Sequence, residues 1–315
     1  MDGKPIGPGG PEQRGPDWNA TADFYNEFAF CELEDTRMYL DAIGIRPEDT
    51  VLDVCCGPGR ISVLAAERAA RVTGIDNADR MLEHARANAA ERGLDNCEFR
   101  LLDWNHVLPG QNLARHDVVI ASRCGAIMDV EKLSALANRT AATQIFADAP
   151  AIPQLMSVLF SGCGGMWDGP GGPGGGPGGP GPGGPGGPFG GPGGPGGPGG
   201  PGGPGGPFGG PGGPKPEGRR PAAYMEIAKK AYQAGYDPNI RIFPERFRKS
   251  FASADAAVEW VCSLRPDQSE GFEERVAINV EPFLTETDGG IEFCIATSAA
   301  ITWWDVAGRA AYTLY

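Results

Sequence analysis

The sequence feature that most constrains the fold is an apolar segment that ends near an acid and runs into a turn of small residues. Residues 51–54 are apolar apart from Asp53, and the turn that follows contains Gly57 and Gly59. Residues 61–70 are amphipathic, which predicts a helix. A buried strand, a tight loop and a helix in this order bring backbone N–H groups to a nucleotide-like ligand. The pattern predicts an α/β domain with a cofactor site in the N-terminal third of the chain.

The glycine spacing separates this loop from two common nucleotide sites. The third glycine of a dinucleotide-binding turn is missing, and no Gly-Lys-Ser/Thr sequence of a P-loop follows. The segment instead resembles the first motif of class I S-adenosylmethionine-dependent methyltransferases, in which an acid precedes a glycine-rich loop. Asp53, Gly57 and Gly59 match that motif, and Cys55 stands where the family most often has its first glycine. The resemblance implies that these four residues bind S-adenosyl-L-methionine.

Further acids follow at the ends of later apolar segments. Asp76 lies about twenty residues after the loop, where a carboxylate can accept hydrogen bonds from both ribose hydroxyls. The resemblance extends the cofactor site to Asn77 and to Met81 against the adenine, although a methionine at helical spacing also fits a plain core position. It likewise assigns Asp103 to the adenine amino group and Trp104 to the ring, where an ordinary strand end is the alternative.

The resemblance covers residues 17–150 and, more loosely, 222–310. It implies a doubly wound, seven-stranded, mostly parallel sheet with helices on both faces. The sequence predicts a helix over 130–138, a fifth strand over 143–147, a helix over 222–234 and a strand over 239–251. Two helical segments, 253–264 and 270–284, precede a final strand over 291–304, which the family would place antiparallel to the fifth.

Residues 169–214 consist almost wholly of Gly and Pro and contain no charged residue. Such a segment cannot bury enough apolar surface to offset its chain entropy, so we expect a disordered insertion. We expect residues 1–16 to be a flexible tail, and 17–168 together with 215–315 to form one methyltransferase domain. The insertion would act as a lid or as a tether for a protein partner. Its removal should leave folding and cofactor binding unchanged.

Charge and cysteine spacing suggest what the chain contacts. The formal net charge of −13 predicts that it does not bind nucleic acid, and the basic segment 241–249 is interpreted as solvated charge on a strand edge. No apolar run is long enough to span a bilayer, so we expect a cytoplasmic protein with no membrane partner. The eight cysteines have no zinc-ligand spacing, so we expect reduced thiols, mostly in the core, and no metal.

The resemblance implies methyl transfer from S-adenosyl-L-methionine to an acceptor that we expect to be a small molecule. Candidates near the acceptor are Tyr25, His106, Ser122, Arg123 and Cys124, and an aromatic N-terminal segment with Trp18 and Tyr25 would cap the cofactor. Three alternatives stay open. They are a catalytically silent cofactor-binding sensor or scaffold, a methyltransferase acting on protein or RNA, and a thiophilic acceptor such as arsenite that is held by cysteines 31, 124 and 163.

Overall fold

The structure, a computed structural model, describes residues 17–147, 152–163, 222–265 and 269–307. Their eight strands form one sheet in the order β3-β2-β1-β4-β5-β8-β6, with β7 paired to β8. The strands are β1 (Thr50–Val54), β2 (Arg71–Asp76), β3 (Cys97–Leu101), β4 (His116–Ser122), β5 (Ala137–Phe146), β6 (Asn239–Phe251), β7 (Leu284–Thr287) and β8 (Gly290–Asp305). The tail 1–16 and the insertion 169–214 lie outside the described residues.

The first five strands are parallel, and the central strands β1 and β4 are buried on both faces. Alternate residues of β4 divide between two hydrophobic clusters, with Val118 and Ile120 in one and Val119 and Ala121 in the other. Strand β1 pairs with β2 on one side and with β4 on the other. The order of strands therefore reverses beside β1. In open α/β sheets, ligands bind outside the carboxyl ends of the strands at this point.

Nine α-helices lie in the described part of the chain. Two of them precede the sheet, and α1 runs across the loop of residues 55–59. The helices are α1 (Ala22–Phe30), α2 (Leu33–Ile43), α3 (Arg60–Ala66), α4 (Asp79–Glu91), α5 (Val130–Leu136), α6 (Ile152–Leu159), α7 (Ala223–Gln233), α8 (Ala254–Leu264) and α9 (Phe272–Val280). No described helix is both long and apolar enough to cross a bilayer.

The remaining strands complete the sheet in antiparallel fashion. Strand β8 pairs antiparallel with β5, as expected, and β6 pairs with β8 along its whole length. Strand β7 forms a hairpin with β8 and adds an eighth strand to the seven that were predicted. A helix predicted over 270–284 ends instead at Val280, where Pro282 starts a short 3-10 turn that leads into β7. The doubly wound, mostly parallel sheet is confirmed.

Candidate functional site

The loop between β1 and α3 has the backbone shape that a nucleotide-like ligand needs. Cys55, Gly57 and Gly59 all have positive φ angles, of 55°, 53° and 85°. A Cβ atom at Gly59 would lie 3.1 Å from the Cβ of Ala85 on α4, so the loop packs closely against that helix. The two glycines therefore allow a turn and a close approach that larger residues would strain.

The Asp76 carboxylate, at the end of β2, fastens this loop. Its Oδ2 accepts a hydrogen bond from the Gly57 N–H at 2.9 Å, and its Oδ1 accepts one from the Ala78 N–H at 3.0 Å. Burial raises the pKa of Asp76, and the backbone donors act in the opposite direction. A carboxylate has about four acceptor positions, so two remain for ligand hydroxyls.

Asp53 lies beneath the loop. Its side chain is buried and accepts a hydrogen bond from the Ser62 hydroxyl in α3 at 2.6 Å. Burial raises the pKa of Asp53 to about 7, although the Ser62 hydrogen bond lowers it. This contact ties β1 to the first turn of α3. Asp53 thus positions the loop through Ser62.

The carboxyl end of β3 carries the residues expected at the adenine. The Asp103 carboxylate accepts hydrogen bonds from the Asn105 N–H at 2.7 Å and from the Asn77 side-chain amide at 3.5 Å. The Trp104 ring lies 4.4 Å from the Lys132 ammonium nitrogen, and Lys132 also donates to the Trp104 carbonyl at 2.5 Å. The structure therefore places Asn77, Asp103 and Trp104 together at one strand end.

Helix α1 covers the loop. The Tyr25 ring lies 3.6 Å from the position that a Gly57 Cβ would take, and Trp18 packs edge-on against Tyr25 with the ring centres 5.7 Å apart. Met81 is buried and packs with Ala22, Ala78 and Tyr25. Burial also raises the pKa of the Tyr25 hydroxyl. An aromatic cap over the loop, which the sequence suggested, is present in this arrangement.

Surface ion pairs hold α1 against α4. The Asp23 carboxylate lies 2.8 Å from the Arg80 guanidinium and 2.7 Å from the His84 ring nitrogen. The Asn19 side-chain oxygen accepts from the Arg80 backbone N–H at 3.0 Å. The N-terminal helix is therefore attached to α4, which starts three residues after Asp76.

The residues at the end of β4 form a buried network. We name Glu32, Arg60, Arg123 and Glu245 the ion cluster. Arg123 donates to Glu32 at 2.6 Å and to Glu245 at 2.5 Å, and its side chain is only 4% exposed. Arg60 lies 3.5 Å from Glu32 and donates to the Ser122 hydroxyl at 3.2 Å, while that hydroxyl donates to Gln144.

Two of the candidates near the acceptor, Ser122 and Arg123, thus lie within this network. Arg123 has both ends of its guanidinium paired inside the ion cluster, so it does not present a free charge to an acceptor. Ser122 is hydrogen-bonded on both sides by Arg60 and Gln144. His106 is exposed on a short 3-10 helix after β3, and the Asn112 side-chain amide donates to its carbonyl.

Sequence reasoning missed Glu32 and Glu245, which complete the ion cluster. Burial raises the pKa of Glu32 to about 7, while the adjacent Arg123 lowers it. A signal for Glu245 existed, because Phe243 and Phe247 lie two residues to either side in an alternating strand and both are buried. Glu245 consequently points inward, where it also accepts from the Tyr39 hydroxyl.

A comparison with known protein families matches the part of the chain that contains the parallel strands. Residues 45–159 match the family model described as a methyltransferase domain. These residues therefore form a methyltransferase domain. The resemblance seen in the loop is thereby confirmed, and the matched range contains the loop, Asp76 and the carboxyl ends of β3 and β4.

Curated relatives cover only part of this chain. A 23S rRNA (uracil(1939)-C(5))-methyltransferase of Alcanivorax borkumensis is 36% identical over 93 residues, which are 30% of this chain and 21% of the relative. A mouse tRNA (uracil-5-)-methyltransferase homolog B is 38% identical over 73 residues, which are 23% of this chain and 15% of the relative. The chain thus spans about a fifth of the length of these relatives or less.

A solved structure of a putative methyltransferase from Bacillus halodurans covers 87% of this chain and 99% of its own, with a TM-score of 0.46 and 11% identity.

The prediction that the chain has no nucleic-acid partner is contradicted by relatives that are named as rRNA and tRNA methyltransferases, and the same names do not support a small-molecule acceptor. The prediction rested on the net charge of −13. Net charge sums over the whole surface, whereas a nucleic acid meets a local patch. Strand β6 supplies local cations in an acidic chain, with Arg241 and Arg246 exposed and Arg248 and Lys249 half-buried.

Proposed function

We propose that this protein is an S-adenosylmethionine-dependent methyltransferase whose acceptor is RNA. The observation that carries the cofactor part is the loop of residues 55–59, held by the Asp76 carboxylate at the point where the strand order reverses. The RNA part is supported by the names of the relatives.

The described residues fit this cofactor. Asp76 would accept from the ribose hydroxyls with the two acceptor positions that the backbone leaves open. Gly57 and Gly59 would allow the loop backbone to approach the ligand. Asn77, Asp103 and Trp104 would contact the base, because they meet at the end of β3. Met81 would support the site by packing against Tyr25. Asp53 would support it through the hydrogen bond that it accepts from Ser62.

S-adenosylmethionine supplies a methyl group on a positively charged sulfur, and transfer to a nucleophile removes that charge. Such a reaction depends mainly on alignment of the reacting atoms with water excluded. Tyr25 and Trp18 on and before α1 are placed to exclude water, because they cover the loop and α1 is attached to α4 by Asp23. Of the candidates near the acceptor, Tyr25 therefore keeps a proposed role in closing the site.

A cleft of mixed charge, lined by three cations and two carboxylates, is the local feature that would meet an RNA acceptor. The cleft has a volume of about 330 Å³ and lies between α1, the end of α4 and β6. Arg92, Arg248 and Lys249 line it, with Glu27 among the carboxylates that moderate the charge. Cations of this kind contact phosphates without reading sequence. Arg248 and Lys249 would position an RNA backbone beside α1.

Transfer of a labelled methyl group tests the proposal. The full chain would be incubated with methyl-labelled S-adenosylmethionine and with separate pools of unmodified tRNA, unmodified rRNA, protein and small metabolites. We expect ribonuclease-sensitive label in an RNA pool. Label confined to the small-molecule or protein pool would overturn the RNA acceptor.

A binding measurement separates the cofactor from the acceptor. Calorimetry with S-adenosylhomocysteine should show binding to the wild type, and Asp79→Ala is a matched control for Asp76→Ala because Asp79 is exposed three residues away. Binding without transfer to any pool would favour the silent sensor or scaffold. An absence of binding would overturn the proposed function as a whole.

A further inference from the structure

Two thiols meet where β1 and β4 end. Cys55 is the first residue after β1, and Cys124 is the second residue after β4. These strands are adjacent and parallel, with Val54 beside Ala121 in the register. The Cys124 sulfur lies 3.8 Å from the carbonyl oxygen of Val54, the residue directly before Cys55. The fold therefore brings the two cysteines together although 68 residues separate them in the sequence.

The two thiols lie at neighbouring strand ends and share the same hydrophobic surroundings. A hydrogen bond between the thiols of Cys55 and Cys124 is the largest cause of a strongly raised pKa at Cys55, and burial is the second. Cys55 therefore keeps its proton at neutral pH, while the Cys124 thiol donates to the Val54 carbonyl. Both residues are partly exposed, and both pack against the same hydrophobic cluster under the loop. A thiol–disulfide pair works well with one sulfur that attacks and one that resolves.

The neighbouring Cys56 lies in a different environment. Its side chain is buried, and its sulfur lies 2.9 Å from the position that a Gly74 Cβ would take on β2. The Cys56 sulfur thus packs toward β2, on the side of β1 away from β4. Cys124 consequently has Cys55 and not Cys56 as its partner, and Cys56 provides a control within the same loop.

We propose that Cys55 and Cys124 are a redox modification site, at which hydrogen peroxide joins the ends of β1 and β4 by a disulfide bond. The Cys124 sulfur, after giving its proton to solvent, attacks one peroxide oxygen; an S–O bond forms, the O–O bond breaks, and the leaving hydroxide takes a proton to become water. The Cys55 sulfur then attacks the Cys124 sulfur, so that the S–S bond forms and the S–O bond breaks. The Cys55 proton goes to the departing hydroxide as a second water, and the thiols have given two electrons to the peroxide.

The disulfide would restrain the cofactor loop from one side. Cys55 starts the turn that ends at Gly59, and Asp76 holds the same turn from β2 through Gly57. A bond to β4 therefore fixes the loop between two strands. The modification itself needs no cofactor, so it goes beyond the proposed function and is tested independently of it.

Peptide mapping tests the site directly. The reduced full chain, in dilute solution, would be treated with one equivalent of hydrogen peroxide, alkylated in denaturant and digested with trypsin without reductant. We expect a tryptic peptide of residues 38–60 to be joined to one of residues 124–132, and the count of free thiols to fall by two from eight. Oxidation of thiols without this linkage would overturn the proposal.

Three variants identify the sulfurs. Cys124→Ser should abolish the linkage, and Cys55→Ser should abolish it while leaving a sulfenic acid at Cys124 that dimedone labels. Cys56→Ser should retain the linkage, with circular dichroism confirming that each variant is folded. A linkage that survives Cys55→Ser, or one that a folded Cys56→Ser loses, would contradict the assignment.

Adding S-adenosylmethionine before the peroxide links the site to the proposed function. Bound cofactor should slow formation of the linkage several-fold, because it would lie against the loop that Cys55 begins. A linkage that forms at the same rate with and without S-adenosylmethionine would count against cofactor binding at this loop and would leave the disulfide itself established.

Discussion

A charged side chain lies at the end of β2 and another at the end of β4, but the two have different partners. At the end of β2, the Asp76 carboxylate accepts from two backbone N–H groups and retains acceptor capacity. At the end of β4, Arg123 is paired with Glu32 and Glu245 and is almost fully buried. One strand end retains acceptor capacity for the proposed cofactor, whereas the other binds the N-terminal helices to the sheet.

The difference shows that position at a strand end does not by itself assign a residue to a site. A short side chain such as that of Asp76 reaches only nearby backbone, so its partners follow from the local turn. The long side chain of Arg123 reaches partners from two distant segments. Function at the second strand end therefore depends on contacts that local sequence does not contain.

The largest expected effect is the loss of Arg123. Arg123→Met should lower the free energy of unfolding by about 3–5 kcal/mol, because Glu32 and Glu245 would be left buried with less compensation. Urea denaturation at neutral pH measures this loss. A loss below about 1 kcal/mol would mean that the ion cluster is solvated in solution, and the contrast between the two strand ends would disappear.

The second expected effect is a dependence of stability on pH through Asp53. The folded-state pKa of about 7 lies above the unfolded value near 3.8, so the folded chain holds a proton that the unfolded chain releases. The free energy of unfolding should therefore fall as pH rises, by up to about 2–3 kcal/mol between pH 5 and 7.

Asp53→Asn should flatten this slope, because the amide does not titrate and still accepts from Ser62. Part of the slope should remain, because the pKa of Glu32 is also raised to about 7. Denaturation curves at several pH values compare the two proteins. An equally steep slope in Asp53→Asn would show that another group carries the dependence.

The third expected effect falls on cofactor affinity. Asp76→Ala should weaken binding of S-adenosylhomocysteine by about 1–3 kcal/mol, because ligand hydroxyls would lose their acceptor and the Gly57 N–H would lose its own. Isothermal titration calorimetry measures the change, with Asp79→Ala expected to bind like the wild type. Equal affinity of Asp76→Ala and the wild type would show that Asp76 at the end of β2 does not bind the ligand.

The smallest expected effect is at Arg80, a surface counterpart of Arg123. Its side chain is 48% exposed and pairs with Asp23 and Glu83. Arg80→Ala should lower the free energy of unfolding by less than about 1 kcal/mol, because exposed ion pairs contribute little. A loss as large as that of Arg123→Met would show that burial does not separate the two kinds of ion pair.

The sequence predicted the parallel strands and the glycine-containing loop, since hydrophobic period and glycine position are local signals. The antiparallel placement of the final strand came from the family resemblance. The sequence also predicted β6 with the observed bounds. It placed the fifth strand over 143–147, whereas β5 begins at Ala137, directly after α5. Residues 137–142 contain Asn138, Arg139 and Thr140, and their polar character concealed a strand that tertiary pairing with β4 and β8 maintains.

Some residues of the candidate site could be predicted from local sequence, and others could not. Residues whose partners lie within about twenty positions, such as Asp76 with Gly57, could be expected from the motif. Arg123 could not be placed, since its partners Glu32 and Glu245 lie 91 and 122 positions away. No alternation or spacing in one segment specifies a partner in another. The contact between Cys55 and Cys124 was hidden for the same reason.

The attachment of the first helices to the last part of the sheet has a consequence for the order of folding. The Arg246 backbone N–H, in β6, donates to Asp35 in α2 across 211 positions of sequence, and Tyr39 donates to Glu245 across 206. Contacts of such long range slow folding, because a large loop must close before they form. During synthesis α1 and α2 emerge first but cannot dock fully until β6 has left the ribosome. The emerging chain therefore completes the cover of the loop of residues 55–59 only after β6 has been synthesised.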